Sequence, residues 1–165
     1  MFDKNGRLSV FRVAVIGAII GIVLVGGGIL SLNNDQNSRR TPLVIDPYPG
    51  ATLWGELVND APTSVRFYMR ALGTAPDQVV SYYQQKLTEF APGETCVRVP
   101  AVGELPVDPN IPNSVPYRYD CMFDRSSRNS TQYTHVSIFP EQPAMDPYRT
   151  DHNNTIITYQ QVWQP

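Results

Sequence analysis

Residues 13–32 carry no charge, and twelve of these twenty are Val, Ile or Leu, a run that constrains the chain more than any other feature. At about 1.5 Å rise per residue, a helix of that length spans roughly 30 Å, the hydrocarbon thickness of a bilayer. On insertion scales the twelve branched residues favour the membrane by about 4–7 kcal/mol before the glycines subtract from it. The competing reading is a cleaved secretory signal, whose apolar core runs about 7–15 residues to a small-x-small site. This run is longer, and Ser31-Leu32-Asn33-Asn34 offers no such site. No cysteine lies near its end, which excludes lipoprotein processing. The segment reads as an uncleaved transmembrane anchor, preceded by a cytoplasmic stretch at 1–12.

Lys4, Arg7 and Arg12 precede the anchor against Asp3, while Asp35, Arg39 and Arg40 follow it. The positive-inside bias is slight. Together with the cysteines discussed below, it places the N-terminus in the cytoplasm and the C-terminal part outside, in the periplasm or beyond. Gly17 and Gly21 form a GxxxG pair, with Gly28 on roughly the same face. Such a face lets another membrane helix approach closely; glycine is also simply common in membrane spans.

Residues 33–50 read as a polar spacer and an extended, proline-bearing lead-in, and residues 51–165 as one extracytoplasmic domain. From Thr41 onward eight basic residues face thirteen acidic ones, so this part carries about −5. Nucleic-acid binding needs clustered Lys and Arg, and the sequence from Thr41 onward holds no such cluster, so no nucleic-acid partner is expected. All fifteen prolines and all nine tyrosines lie beyond the apolar run, which favours strands and rigid loops over a helical bundle.

A strand is predicted at 52–58, then a turn at Asn59-Asp60-Ala61-Pro62. Residues 63–70 alternate, with Val65, Phe67 and Met69 on one face and Arg66, Tyr68 and Arg70 on the other, as in a half-buried strand closing a hairpin. Thr74-Ala75-Pro76-Asp77 reads as a helix start, with Thr74 as the capping hydroxyl. The helix runs to about Phe90 and buries Val79, Val80, Tyr83, Leu87 and Phe90; Pro92-Gly93 ends it. Further strands are expected near 95–99, 117–123, 131–139 and 155–163. The order predicts an α+β domain, a mostly antiparallel sheet covered by one helix. The connection 100–116 carries Pro106, Pro109, Pro112 and Pro116 and is too long for a simple hairpin, which makes it a candidate interaction loop.

Cys96 and Cys121 are the only cysteines. A pair on the oxidising side of a membrane most often forms a disulfide. Strand parity counts against this, because Cys96 alternates with Val97 and Val99 while Cys121 lies on the apolar face. Two buried thiols remain open, and a metal pair lacks further ligands at suitable spacing. His135, in mid-strand, and His152, in a turn, have no recognisable catalytic partners in sequence. No Cys-x-x-Cys-His, G-x-S-x-G, phosphate loop or H-E-x-x-H occurs. The chain therefore points to no cofactor, no metal and no enzymatic activity.

The stretch from Tyr48-Pro49-Gly50-Ala51 through the hairpin to Val79-Val80-Ser81-Tyr82-Tyr83 resembles small bacterial membrane-tethered extracytoplasmic domains. These open with a YPGA turn, followed by a hairpin and a capped helix of the V-x-x-[FY]-Y type. The resemblance covers about residues 47–90 and implies a bacterial origin and an α+β fold. It brings no common reaction and hence no site residues. Two functions fit these observations. One is a non-catalytic accessory subunit of a larger membrane complex, for instance a respiratory or photosynthetic electron-transfer complex, whose partners are the bilayer and other transmembrane subunits. The other is a tethered module binding a small ligand or envelope component, with Trp54, Tyr117, Tyr119 and Trp163 as candidate cleft residues.

Overall fold

The computed structural model describes residues 38–108, 110–111, 114–146 and 153–164. The expected anchor with Gly17, Gly21 and Gly28 lies outside them, as do Pro109, Pro112 and His152. Among the described residues no helix is long and apolar enough to cross a membrane. In chain order the elements are β1 (Thr52–Leu53), β2 (Val58–Ala61), β3 (Ser64–Leu72), α1 (Pro76–Phe90), β4 (Val97–Val99), β5 (Arg118–Asp124), β6 (Thr131–Pro140) and β7 (Asn154–Gln164), with a 3-10 turn at Pro143–Met145.

The strands form one sheet in the order β1-β3-β7-β6-β5-β4, with β2 also on β3. Every pairing is antiparallel. Alternation in β3 sorts the two faces. Phe67 and Met69 lie opposite Tyr159 and Ile157, which in turn face Val136 and Ile138 and then Cys121 and Tyr119. This row is the inner face. Val79, Tyr83 and Leu87 project onto it at helical spacing and are buried, as are Cys121, Phe123, Val136, Ile138, Ile157 and Tyr159. Val80 and Phe90 pack at the margin. The α+β reading therefore holds for the described residues.

The lead-in shares this face with the helix. Leu43, Ile45, Tyr48 and Ala51 pack against the core. The Leu43 carbonyl accepts from Thr134 Oγ1 at 2.5 Å and from Gln161 Nε2 at 2.9 Å. Lys86 on the helix pairs with Asp46 at 2.8 Å.

Tyr48-Pro49-Gly50-Ala51 forms a turn closed by Ala51 N–H donating to the Tyr48 carbonyl at 3.0 Å. Gly50 takes φ +82 there, a value that favours glycine at the third turn position. The Tyr48 N–H donates to the Tyr83 hydroxyl at 2.9 Å, and the Tyr82 hydroxyl donates to the Pro47 carbonyl at 3.1 Å. The YPGA turn and the tyrosine pair of the helix are thus in direct contact.

Three local expectations shift. The single strand at 52–58 divides, because β1 pairs with Met69 and Arg70 while β2 pairs with the Arg66 end of β3. Gly55, at φ +80, lies in the break. Asn59, Asp60 and Ala61 belong to β2, leaving Pro62-Thr63 as the turn. Thr74 does not cap the helix: its hydroxyl donates to the Leu72 carbonyl at 3.0 Å, and the N-cap is Ala75, without a side-chain bond. Pro76 in the first turn needs no N–H there, and Asp77 faces the positive end of the dipole.

The strand directions give the sheet two distinct ends. One end carries the β2–β3 turn, the β5–β6 tip at 125–130 and the finish of β7. The other carries the start of α1, the β6–β7 connection and the loop between β4 and β5. The lead-in enters at the first end, where Gln132 Nε2 donates to the Ser38 and Thr41 carbonyls at 2.9 Å each.

Candidate functional site

Three features could serve function: the loop after β4, a cleft beside Trp54, and a polar cluster on the outer sheet face.

Cys96 and Cys121 are joined in a disulfide with a Cα–Cα distance of 4.3 Å. Continuing the β4–β5 register, in which Val97 faces Asp120, places Cys96 directly opposite Cys121. That close separation belongs to the non-hydrogen-bonded pair of an antiparallel ladder. The parity objection disappears because β4 is an edge strand whose Val97 points to the outer face and stays 57% exposed. The bridge reinforces a three-residue edge strand whose ladder is to β5 alone.

The proline-rich loop leaves β4 just beyond this staple, and its described residues are held at several points. Arg98 Nη1 donates to the carbonyls of Pro100 and Gly103 at 2.6 and 2.9 Å, and its guanidinium lies 4.6 Å from the Tyr117 ring centroid. Leu105 N–H donates to the Pro116 carbonyl at 2.7 Å, and Asp108 N–H to Ser114 Oγ at 2.8 Å. Pro106 is exposed and Pro116 half-buried. Despite these ties, the loop leaves Val102 88% exposed, with Leu105, Val107 and Ile111 also in solvent. Exposed apolar side chains on a fastened loop are a feature of contact surfaces.

On the outer face near β1, a cleft of about 310 Å³ is lined by Trp54, Val58, Tyr68, Phe139, Met145 and Ile156, with Glu56 at its edge. Its volume is at the lower limit for small-molecule sites. Trp54 meets Tyr68 edge to face at 6.3 Å. The Arg70 guanidinium lies 4.5 Å from the Trp54 ring centroid. Arg70 is buried and reaches Glu141 at 2.6 Å and Asp146 at 3.0 Å. Glu141 Oε2 accepts from Asn154 Nδ2 at 2.5 Å, and the Asn154 Oδ1 accepts from Gly73 N–H at 3.0 Å. This network ties the β6–β7 connection to the end of β3.

Of the four aromatic residues named from sequence, only Trp54 lines the cleft. Tyr117 and Tyr119 stack edge to face at the opposite side of the sheet, where the Tyr119 hydroxyl donates to Asp77 Oδ1 at 2.8 Å. Burial raises the Tyr119 phenol, and the Asp77 carboxylate beside it raises it further. Trp163 is near the end of β7, at the lead-in end. Sequence reasoning missed Tyr68 and Arg70 of β3 and Phe139 of β6, two strands that are distant in sequence. Their common parity on the outer face was the available signal.

The outer face also gathers Asp120, His135 and Ser137. Asp120 Oδ1 accepts from Ser137 Oγ at 2.6 Å and lies 3.1 Å from His135 Nε2. Arg118 Nε donates to Asp120 Oδ2 at 2.9 Å. Partial burial opposes ionisation of Asp120, but the bonds from His135, Ser137 and Arg118 outweigh it and hold the carboxyl well below its usual range. The three residue types match a hydrolytic triad; the connections differ. A triad places imidazole between hydroxyl and carboxylate, one nitrogen for each. Here both groups approach Nε2, and the serine hydroxyl is committed to the carboxylate. Among the described residues no group of three His, Cys, Asp or Glu could hold a metal ion.

No protein-family model, curated protein or solved structure matches the chain.

Proposed function

We propose that this protein is a non-catalytic accessory subunit of a larger membrane complex, held by a single transmembrane helix at 13–32. Its N-terminus lies in the cytoplasm and its α+β domain on the outer side. Gly17, Gly21 and Gly28 face another subunit's helix, while the loop bearing Pro106, Pro109, Pro112 and Pro116 contacts a partner outside the bilayer. An electron-transfer complex, respiratory or photosynthetic, is the host we favour, with any redox group belonging to the partners. The observation that carries the reading is the fastened loop that keeps Val102, Leu105, Val107 and Ile111 in solvent. The resemblance of residues 47–90 to tethered domains supports the same placement.

Mild-detergent extraction followed by cross-linking and mass spectrometry tests it. Stoichiometric partners cross-linked at the loop and near the glycine face support the proposal. A lone chain or a simple homodimer refutes it.

The cleft favours a second reading, a tethered module that binds an apolar group of a small ligand against Trp54, Tyr68 and Phe139. Ligand-dependent quenching of tryptophan fluorescence that disappears in Trp54→Leu would favour it over the first.

A further inference from the structure

The point at which the chain enters the domain, taken with the anchor reading on which this step rests, sets how the domain stands on the membrane. Six steps separate Leu32 from Ser38, a reach of at most about 20 Å even when fully extended. Ser38 and Arg39 are fixed at one end of the sheet: the Ser38 carbonyl accepts from Gln132 Nε2, and Arg39 Nη1 donates to the Arg125 carbonyl and, at 3.3 Å, to Ser130 Oγ. That end is therefore the one within reach of the bilayer surface.

Among the described residues this end carries more basic than acidic side chains, the reverse of the balance of the domain. Arg39 is bonded to the Arg125 carbonyl of the β5–β6 tip, so Arg39 and the adjoining Arg40 lie at the same end as Arg125 and Arg128. Arg40, Arg125 and Arg128 are exposed. Asp124 is the acid of the tip, and it accepts from Ser126 N–H at 2.7 Å. Asp60, in the β2–β3 hairpin at the same end, is paired with Arg66 at 3.0 Å. Trp163 sits half-buried at the same level, where an interfacial aromatic side chain would lie. Arginines close to an anionic surface are each favourable by an amount that salt weakens, while the domain's net negative charge is repelled from it.

We infer that the exposed Arg40 and Arg128 form a footing that rests on anionic lipid headgroups and holds the sheet upright. β6 then runs away from the membrane. Its ten residues lift the opposite end by roughly 30 Å. The proline-rich loop and the Trp54 cleft are at that raised end, so the partner is met well above the headgroups rather than at the bilayer surface.

The test uses the full chain in vesicles of phosphatidylcholine with and without phosphatidylglycerol, with spin labels at Asn129→Cys or Glu104→Cys. Lipids carrying a paramagnetic headgroup should relax the label at 129 strongly and the label at 104 weakly, and added phosphatidylglycerol should widen the difference. In Arg40→Gln/Arg128→Gln the label at 129 should lose its phosphatidylglycerol dependence, each lost charge weakening the contact about fivefold. Equal relaxation at both labels in a chain that floats with the vesicles and resists alkaline carbonate overturns the footing and leaves the anchor standing. A chain released by carbonate overturns both.

Discussion

Arg39 donates from its guanidinium to the backbone carbonyl of Arg125, fastening the segment that enters the domain to the tip of the β5–β6 hairpin. From that tie the lead-in crosses the inner face alongside α1 and reaches β1 at the other end of the sheet. One end receives the chain and the opposite end displays the loop. Arg39→Ala should therefore loosen the entry without unfolding the core. Hydrogen exchange should rise over residues 38–43 and stay unchanged in β6 and β7.

Arg70 and Glu141 form a buried ion pair beside the cleft. Removing one partner strands the other charge away from water, which typically costs about 3–5 kcal/mol. Arg70→Met should lower the urea midpoint accordingly, and Arg70→Met/Glu141→Gln should recover part of the loss. A double variant whose loss equals the sum of the Arg70→Met and Glu141→Gln losses would mean that the pair is uncoupled.

The disulfide closes a separation of 25 residues, which stabilises by about 3.5 kcal/mol in the chain-entropy model. Cys96→Ala/Cys121→Ala should lose close to that amount by chemical denaturation. Because this bridge reinforces the short β4–β5 pairing, limited proteolysis of the variant should cut first within the loop at 100–117.

Tyr83 and Tyr159 meet hydroxyl to hydroxyl in the core. Burial pushes the Tyr83 phenol up to about 12 and also raises that of Tyr159. The folded state keeps both protons, whereas the unfolded chain releases them above about pH 10. Their contribution is therefore complete below that pH and is lost as pH rises through it. Denaturation midpoints should fall between about pH 10 and 12, and less steeply in Tyr83→Phe/Tyr159→Phe. At neutral pH, Tyr83→Phe removes the acceptor for the Tyr48 N–H, at a cost of about 1–3 kcal/mol.

Asp120 has the opposite sign. Its depressed carboxyl contributes stability above the unfolded value near pH 4, lost as pH falls below it. Asp120→Asn should lower the midpoint more at pH 7 than at pH 3; an equal loss at both would show that the charge adds nothing.

Much of the fold was legible because its signals are local. Val65, Phe67 and Met69 alternate as β3 requires, and Val79, Tyr83 and Leu87 recur as an amphipathic helix requires. The disulfide was legible from the cysteine count and the expected outer location, while its parity misled: Val97 and Val99 suggested an inward face, yet an edge strand can leave apolar residues in water. Thr74 looked like a cap, but its hydroxyl found a nearer carbonyl. The cleft was illegible because Trp54, Tyr68, Phe139 and Ile156 come from distant stretches that only the sheet register brings together. The same holds for Asp120, His135 and Ser137, which two strands set side by side.

The accessory-subunit account is tested most directly by native electrophoresis of detergent extracts, comparing the wild-type chain with Val102→Asp/Leu105→Asp. Both side chains are exposed, so the substitutions should change stability by no more than about 0.5 kcal/mol. The account predicts that the wild type migrates within a larger assembly and that the folded variant leaves it. A wild type that migrates alone, or a variant that stays in the assembly, contradicts it.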